Sequence, residues 1–172
     1  VQKLTRVLLE KALAAAEQWP DEMRLSFNLS THDISSSEGI VRILGIISAS
    51  AIDPKRIDLE ITETAMMYDF DQAKAAVELL RQLGCGIALD DFGTGFSSLS
   101  QLHALPLTKI KIDRSFVSCI DKTPASHKIV KSLLTLSRDM GLDCVIEGVE
   151  KKEELAVLEK LGGRLIQGYF YA

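Results

Sequence analysis

Two rhythms of apolar and polar residues divide this chain. The first has a period of two. Arg24–Ser30 sets Leu25, Phe27 and Leu29 against Ser26, Asn28 and Ser30, and Ile57–Thr62 sets Ile57, Leu59 and Ile61 against Asp58, Glu60 and Thr62. Lys109–Asp113 sets Ile110 and Ile112 against Lys109, Lys111 and Asp113. Such alternation predicts strands with one apolar and one polar face. Gly86–Leu89 is apolar throughout and reads as a buried strand, Leu142–Glu147 as another, and Arg164–Gln167 as the start of a last one. The second rhythm is helical. Residues 3–19 carry Leu4, Val7, Leu8, Ala12, Ala15 and Trp19 near helical spacing before Pro20 ends the run. Further helices are predicted over 38–50, over 70–82 with Gly84 as its stop signal, from Ser97 to about His103, over 125–139 and over 151–160.

Strand and helix therefore alternate six times after an opening helix. That order calls for parallel strands with helices packed outside them, either in an open doubly wound sheet or in a closed (β/α) barrel. The strands of an open parallel sheet are covered on both faces and read as continuous apolar runs. Three strands here keep a polar face, which requires a polar interior, and a TIM-like (β/α) barrel supplies one. The expected fold class is α/β, with about six of a barrel's roughly eight strands in this chain. Residues 1–172 are expected to be one domain, truncated at both ends, since the chain opens on Val1 and stops mid-strand at Tyr171-Ala172.

Composition changes the picture only modestly. With 172 residues, 47% hydrophobic and 26% charged, the chain can bury a sizeable core. A net charge of −4 argues against a DNA-binding surface. Cys85, Cys119 and Cys144 show no metal-ligand spacing and read as small core residues of a reducing, cytoplasmic compartment. No apolar run reaches the ~20 residues that span a bilayer.

The chemistry gathers at the strands' carboxyl ends, where barrel active sites are built. There stand Asn28, Glu60, Asp90 with Asp91, Lys111 with Asp113, Glu147 and Gln167. Asp90 and Asp91 end an uncharged run and precede Gly93-Thr94-Gly95. As a bland alternative, either aspartate caps the helix that follows. Adjacent carboxylates repel, and a hard divalent cation relieves them. Oxygen donors without clustered His or Cys favour Mg²⁺ or Mn²⁺ over softer metals. Two such ions ~3.5–4 Å apart clamp a phosphoryl group in in-line displacement. Asp91-Phe92-Gly93 lacks the company of a kinase site, and Gly93-Thr94-Gly95 lacks the third glycine of a dinucleotide fingerprint. A metal-dependent phosphodiesterase is the reading that the residues support.

These residues stand in six blocks: Asn28-Leu29-Ser30, Glu60-Ile61-Thr62-Glu63, Asp90–Ser98, Lys111–Phe116, Glu147-Gly148-Val149-Glu150 and Gln167-Gly168-Tyr169. Together they resemble the EAL-domain family, bacterial phosphodiesterases of cyclic di-GMP. The resemblance implies a (β/α) barrel that cleaves cyclic di-GMP to linear pGpG with two Mg²⁺ or Mn²⁺ ions. It implies Asn28, Glu60 and Asp90 as ligands of one metal, with Asp90 bridging to a second metal held by Asp91. Lys111 then positions the attacking water, Glu147 acts as general base or supports the second metal, and Gln167 helps to orient the site. Glu63 holds the loop at 93–98, a region linked in the family to homodimerisation. Glu150 and Asp113 are candidates for substrate contact, with Asp113 alternatively supporting Lys111.

In one respect the chain departs from the family pattern: no contiguous Glu-Ala-Leu occurs, Glu10-Lys11-Ala12-Leu13 lying on the first helix. The resemblance makes the glutamate of that segment a ligand of the first metal, so a chain without it is expected to be poorly active alone, and its parent, in which a nucleotide cyclase or sensor domain can precede it, active. The other departure is Ile146 beside Glu147, where the family commonly has alanine. The rival expectation is a catalytically inactive cyclic di-GMP receptor.

Overall fold

The computed structural model describes residues 2–95 and 98–171. Among the described residues six strands, alternating with helices, are ordered in the sheet as they are in the chain. The chain divides into two compact units: residues 1–88 with 97–107, and residues 89–96 with 108–172.

The first unit opens with α1 (Gln2–Ala16), followed by β1 (Leu25–Leu29), α2 (Thr31–Ile34), α3 (Ser37–Ala49), β2 (Ile57–Thr62), α4 (Glu63–Tyr68) and α5 (Phe70–Leu83). It also holds the start of β3 (Gly86–Phe92), and α6 (Leu99–Ala104). Strands β1 and β2 pair in parallel, Leu25 opposite Ile57 through Leu29 opposite Ile61. The apolar face chosen by alternation is the one that packs, with Leu25, Leu29, Ile57, Leu59 and Ile61 all buried. Helices α3 and α5 start where a polar side chain accepts a free N–H: Ser36 takes Gly39 N–H at 3.2 Å and Asp69 takes Gln72 N–H at 3.1 Å. At the far end of α5, Gly84 at φ +113° gives the left-handed cap predicted for it.

Helix α1 corrects the sequence reading. Its buried stripe is Leu9, Leu13 and Ala16, whereas Leu4 and Leu8 are exposed. The segment carries apolar residues on more than one face, so spacing alone cannot select the packed one. The helix also stops at Ala16, short of Trp19.

The second unit holds the end of β3, then β4 (Lys109–Ile112), α7 (Arg114–Val117), α8 (Pro124–Asp139), β5 (Asp143–Ile146), α9 (Lys152–Lys160) and β6 (Leu165–Ile166). Parallel pairing runs from Lys109 opposite Asp143 to Ile112 opposite Ile146, and on to Ile146 opposite Ile166. Its core gathers Ile112, Val117, Ile120, Val130, Leu134, Ile146, Val149 and Leu158. Of the cysteines, Cys85 is buried, Cys144 half-buried and Cys119 exposed, so Cys119 is not the core residue expected. Burial pushes the Cys85 and Cys144 thiols up to about 11, which keeps them protonated and unreactive. Among the described residues no helix is long and apolar enough to cross a membrane.

Candidate active site and metal centre

In the first unit the polar face of β1 and β2 holds the predicted ligands. Asn28 and Glu60 occupy partner positions of the parallel ladder, so their side chains leave the same face side by side. Glu60 is 8% exposed and accepts a hydrogen bond from the Ser26 hydroxyl, two residues before Asn28. Asn28 itself is exposed. Just beyond β1, the buried carboxylate of Asp33 accepts from Ser30 N–H at 2.9 Å, from the Ser30 hydroxyl at 2.5 Å and from the Thr5 hydroxyl at 3.1 Å. This knot fixes the turn that follows Asn28. Glu63, buried at 2% exposure, opens α4, whose N-cap Thr62 accepts Ala65 N–H at 3.2 Å. The loop assigned to it includes Phe96 and Ser97, which lie outside the described residues.

In the second unit Lys111 is the centre. Its ammonium is 3.3 Å from Asp90 Oδ1 and 2.6 Å from Glu147 Oε1, and only 6% of its side chain is exposed. Strand β4 puts Lys111 there by alternation, between Ile110 and Ile112, which are fully buried on the opposite face. Asp113 caps α7 by accepting Ser115 N–H at 2.9 Å. Burial alone raises its carboxyl, but the hydrogen bonds from Ser115 and Arg114 and the Arg114 charge outweigh that and hold it below the usual range.

Asp90 and Asp91 end β3, and neither caps α6, whose N-cap is Ser98. Asp91 sits at φ +54°, a left-handed conformation in which its N–H turns back to Asp90 Oδ1 at 3.0 Å. Its C=O accepts both the N–H and the hydroxyl of Thr94, at 3.2 and 2.8 Å. Burial, and then the charges of Asp90 and Asp113, push the Asp91 carboxyl up, with Lys111 only partly offsetting them. Glu147 follows β5 and its N–H binds Ile112 C=O at 3.1 Å. Gln167 follows β6 and is exposed, its N–H on Ile146 C=O at 2.9 Å. Glu150 pairs with Arg114 at 2.9 Å.

Taken unit by unit, Asn28 and Glu60 of the first and Asp90 and Asp91 of the second offer donors that suit a hard divalent cation. These donors are oxygen atoms, and the crowding of negative charge on Asp91 is what a cation relieves. No group of three or more His, Cys, Asp or Glu among the described residues is arranged to hold a metal by itself. Sequence reasoning missed Ser26, Asp33 and Arg114. Ser26 was legible as a member of the same polar face as Asn28, Asp33 as the acid of a Ser-x-x-Asp capping box, and Arg114 only as a member of the Lys111–Phe116 block.

The parallel α/β fold, with Asp90 and Glu147 gathered on Lys111 at the strands' carboxyl ends, defines a class, that of parallel α/β domains with an acidic strand-end site. The chain belongs to the EAL domain family, whose model matches residues 1–172. The cyclic di-GMP phosphodiesterase RocR of Pseudomonas aeruginosa is 33% identical over 175 residues, covering 100% of this chain and 45% of RocR. The cyclic di-GMP phosphodiesterase NbdA of the same organism is 32% identical over 152 residues, covering 88% of this chain and 19% of NbdA. The chain spans about a fifth of the length of several other curated relatives, including 22% of the oxygen sensor protein DosP of Escherichia coli. The solved c-di-GMP complex of the PaMucR phosphodiesterase matches with a TM-score of 0.90 at 29% identity, covering 97% of this chain and 69% of that one. A manganese and cyclic di-GMP complex of BlrP1 from Klebsiella pneumoniae matches with a TM-score of 0.88 at 32% identity, over 98% of this chain and 43% of that one.

Proposed function

We propose that this chain carries out metal-dependent hydrolysis of cyclic di-GMP to linear pGpG. The observation that carries the reading is Lys111 held between Asp90 and Glu147, a lysine and two acids of separate strands converging in a family with named cyclic di-GMP phosphodiesterases. Asn28, Glu60, Asp90 and Asp91 are the residues that would hold two divalent ions, Mg²⁺ or Mn²⁺. Bound there, such ions would lower the pKa of water and polarise the phosphoryl oxygens. Lys111 donates hydrogen bonds to the attacking water and keeps it in line. Glu147, within 2.6 Å of that ammonium, accepts the water's proton at its Oε1. Gln167 orients the same end of the site through its amide.

The experiment measures cyclic di-GMP turnover by residues 1–172 and by the full-length protein, each with Mg²⁺ or Mn²⁺. We expect the full-length protein to be active and residues 1–172 alone to be weakly so. Asp90→Asn and Asp91→Asn should each lower kcat by about a thousandfold or more and weaken Mn²⁺ binding, with an unchanged melting temperature. Tight binding of cyclic di-GMP by the full-length protein without turnover overturns the hydrolase and leaves a receptor. Turnover of other phosphodiesters in preference to cyclic di-GMP overturns the substrate.

A further inference from the structure

The turn that carries Glu147 is gripped by a side chain with no part in the chemistry above. Gly148 follows Glu147 at φ +72° and lies under the aliphatic stem of Arg114. A Cβ on Gly148 would stand 2.5, 2.4 and 2.9 Å from Arg114 Cβ, Cγ and Cδ, so stem and backbone are in direct contact. At its far end the Arg114 guanidinium pairs with Glu150 at 2.9 Å. Lys111, earlier in the same β4–α7 segment, pairs with Glu147 at 2.6 Å. Two cations spaced three residues apart thus hold two acids spaced three residues apart.

Backbone hydrogen bonds and a buried acceptor fix the rest of the turn. Val149 N–H binds Gln167 C=O at 3.3 Å, and Glu150 N–H binds the buried Glu154 carboxylate at 3.1 Å. Gly168 lets its own backbone press on Val149, where a Cβ would come within 2.2 Å of the Val149 oxygen. Arg114 differs from these anchors because its side chain is 56% exposed. A pair exposed to that degree contributes little to folding stability. Its consequence is orientation: the direction in which the Glu147 carboxylate leaves β5 is set on one side by Lys111 and on the other by the residues Arg114 holds.

We propose that Arg114 is a positioning residue for Glu147, acting through its stem on Gly148 and its guanidinium on Glu150, and that Glu150 anchors this clasp instead of touching substrate. The inference rests on the hydrolytic reading above.

Cyclic di-GMP turnover by the full-length protein, compared among Arg114 and Glu150 variants, tests it. Arg114→Met keeps the stem and removes the charge, and Arg114→Ala removes both. We expect kcat to fall about tenfold in the first and about a hundredfold in the second, with KM within about twofold of wild type. Arg114→Lys should recover most of the loss. Glu150→Gln should match Arg114→Met, and the double variant should be no worse than either single one, as members of one network behave. Melting temperatures of Arg114→Met and Glu150→Gln should stay within about 2 °C of wild type. A raised KM at constant kcat in Glu150→Gln assigns substrate contact and overturns the proposal. So does unchanged kcat in Arg114→Ala, or a loss of kcat that tracks melting temperature and that lysine fails to rescue. Absence of turnover in the wild type is a separate result that removes the hydrolytic reading itself, whereas wild-type turnover indifferent to Arg114 removes only this inference.

Discussion

In the first unit the buried acids Asp33 and Glu60 accept hydrogen bonds from neutral donors, whereas in the second the half-buried Asp90 and Glu147 pair with a cation. Asp33 is satisfied by two hydroxyls and a backbone N–H, and Glu60 accepts from Ser26. Asp58 is bound in two-point fashion by Arg24 at 2.8 and 2.7 Å. In the second unit Lys111 is shared by Asp90 and Glu147, and Arg114 takes Glu150. A hydroxyl leaves a carboxylate its charge and therefore its appetite for a cation. An ammonium neutralises it but sits on a flexible four-carbon stem and can be redirected to a water or a phosphate oxygen. The first arrangement suits ligands whose place must not move, the second suits groups that exchange partners as charge develops. Asp58 lies near the start of β2, away from the strand's carboxyl end, and there the arginine serves the fold.

That assignment can be broken most forcefully at Asp58. The residue is 4% exposed, and a Cβ on Gly86 would come within 2.0 Å of its Oδ1, so carboxylate, guanidinium and strand backbone fill one small space. Asp58→Ala should cost about 2–3 kcal/mol in urea unfolding, less than a fully buried pair because Arg24 is 46% exposed and turns to water. Gly86→Ala should also destabilise. Its cost should shrink in the Asp58→Ala background, where the obstructing oxygen is gone. Additive costs would mean that Gly86 and Asp58 do not share that space.

The second unit has one buried acid that behaves like those of the first. Glu154 is 2% exposed and accepts from the backbone N–H groups of Cys119, Glu150 and Lys151 at 3.1, 3.1 and 3.2 Å. Burial alone raises its carboxyl, but these three donors and the Lys151 charge together hold it below the usual range. A carboxyl lowered on folding contributes stability that is fully present above its unfolded value, about 4.3, and that fades as pH falls toward the folded value. Glu154→Gln should cost about 1–2 kcal/mol at pH 7 and show a shallower loss of stability below pH ~4.3 than wild type. Equal acid sensitivity in both would place the proton uptake elsewhere.

Much of this was legible beforehand, for reasons that differ by element. Strand β2 matches its reading to the residue, and β1 and β4 fall within one residue of theirs at each end, because alternation over four to six positions leaves little freedom of register; β5, read without alternation, also falls within one residue at each end. Helices α2, α4 and α7 were not anticipated: four to six residues do not complete two turns and show no period. Their one signal is the cap, Ser30, Thr62 or Asp113, immediately before each. Asp113, read as a substrate contact or support for Lys111, also caps the first turn of α7, a role that the residue before a short helix can signal. The acids at strand ends were found because strand direction fixes which end is functional. Their partners were not, because an ion pair between strands depends on stagger, which single-strand patterns do not encode.

The smallest effect sharpens the comparison from the side of packing. Glycines of the two units look alike in sequence yet stand in opposite circumstances. Gly148 has Arg114 against it, so any side chain there must displace the clasp. Gly45 lies inside α3 with nothing within 4 Å of a Cβ built upon it, beside a groove of about 450 Å³ lined by Leu13, Arg42 and Ile46. Neither backbone strain nor close approach calls for glycine at that position, and a mid-helix glycine is less favourable than alanine by roughly 0.5–1 kcal/mol. Gly45→Ala should therefore stabilise the protein by about that amount, read as a higher urea midpoint at unchanged slope. A destabilised Gly45→Ala would mean that the groove is filled in solution by something that needs the missing side chain.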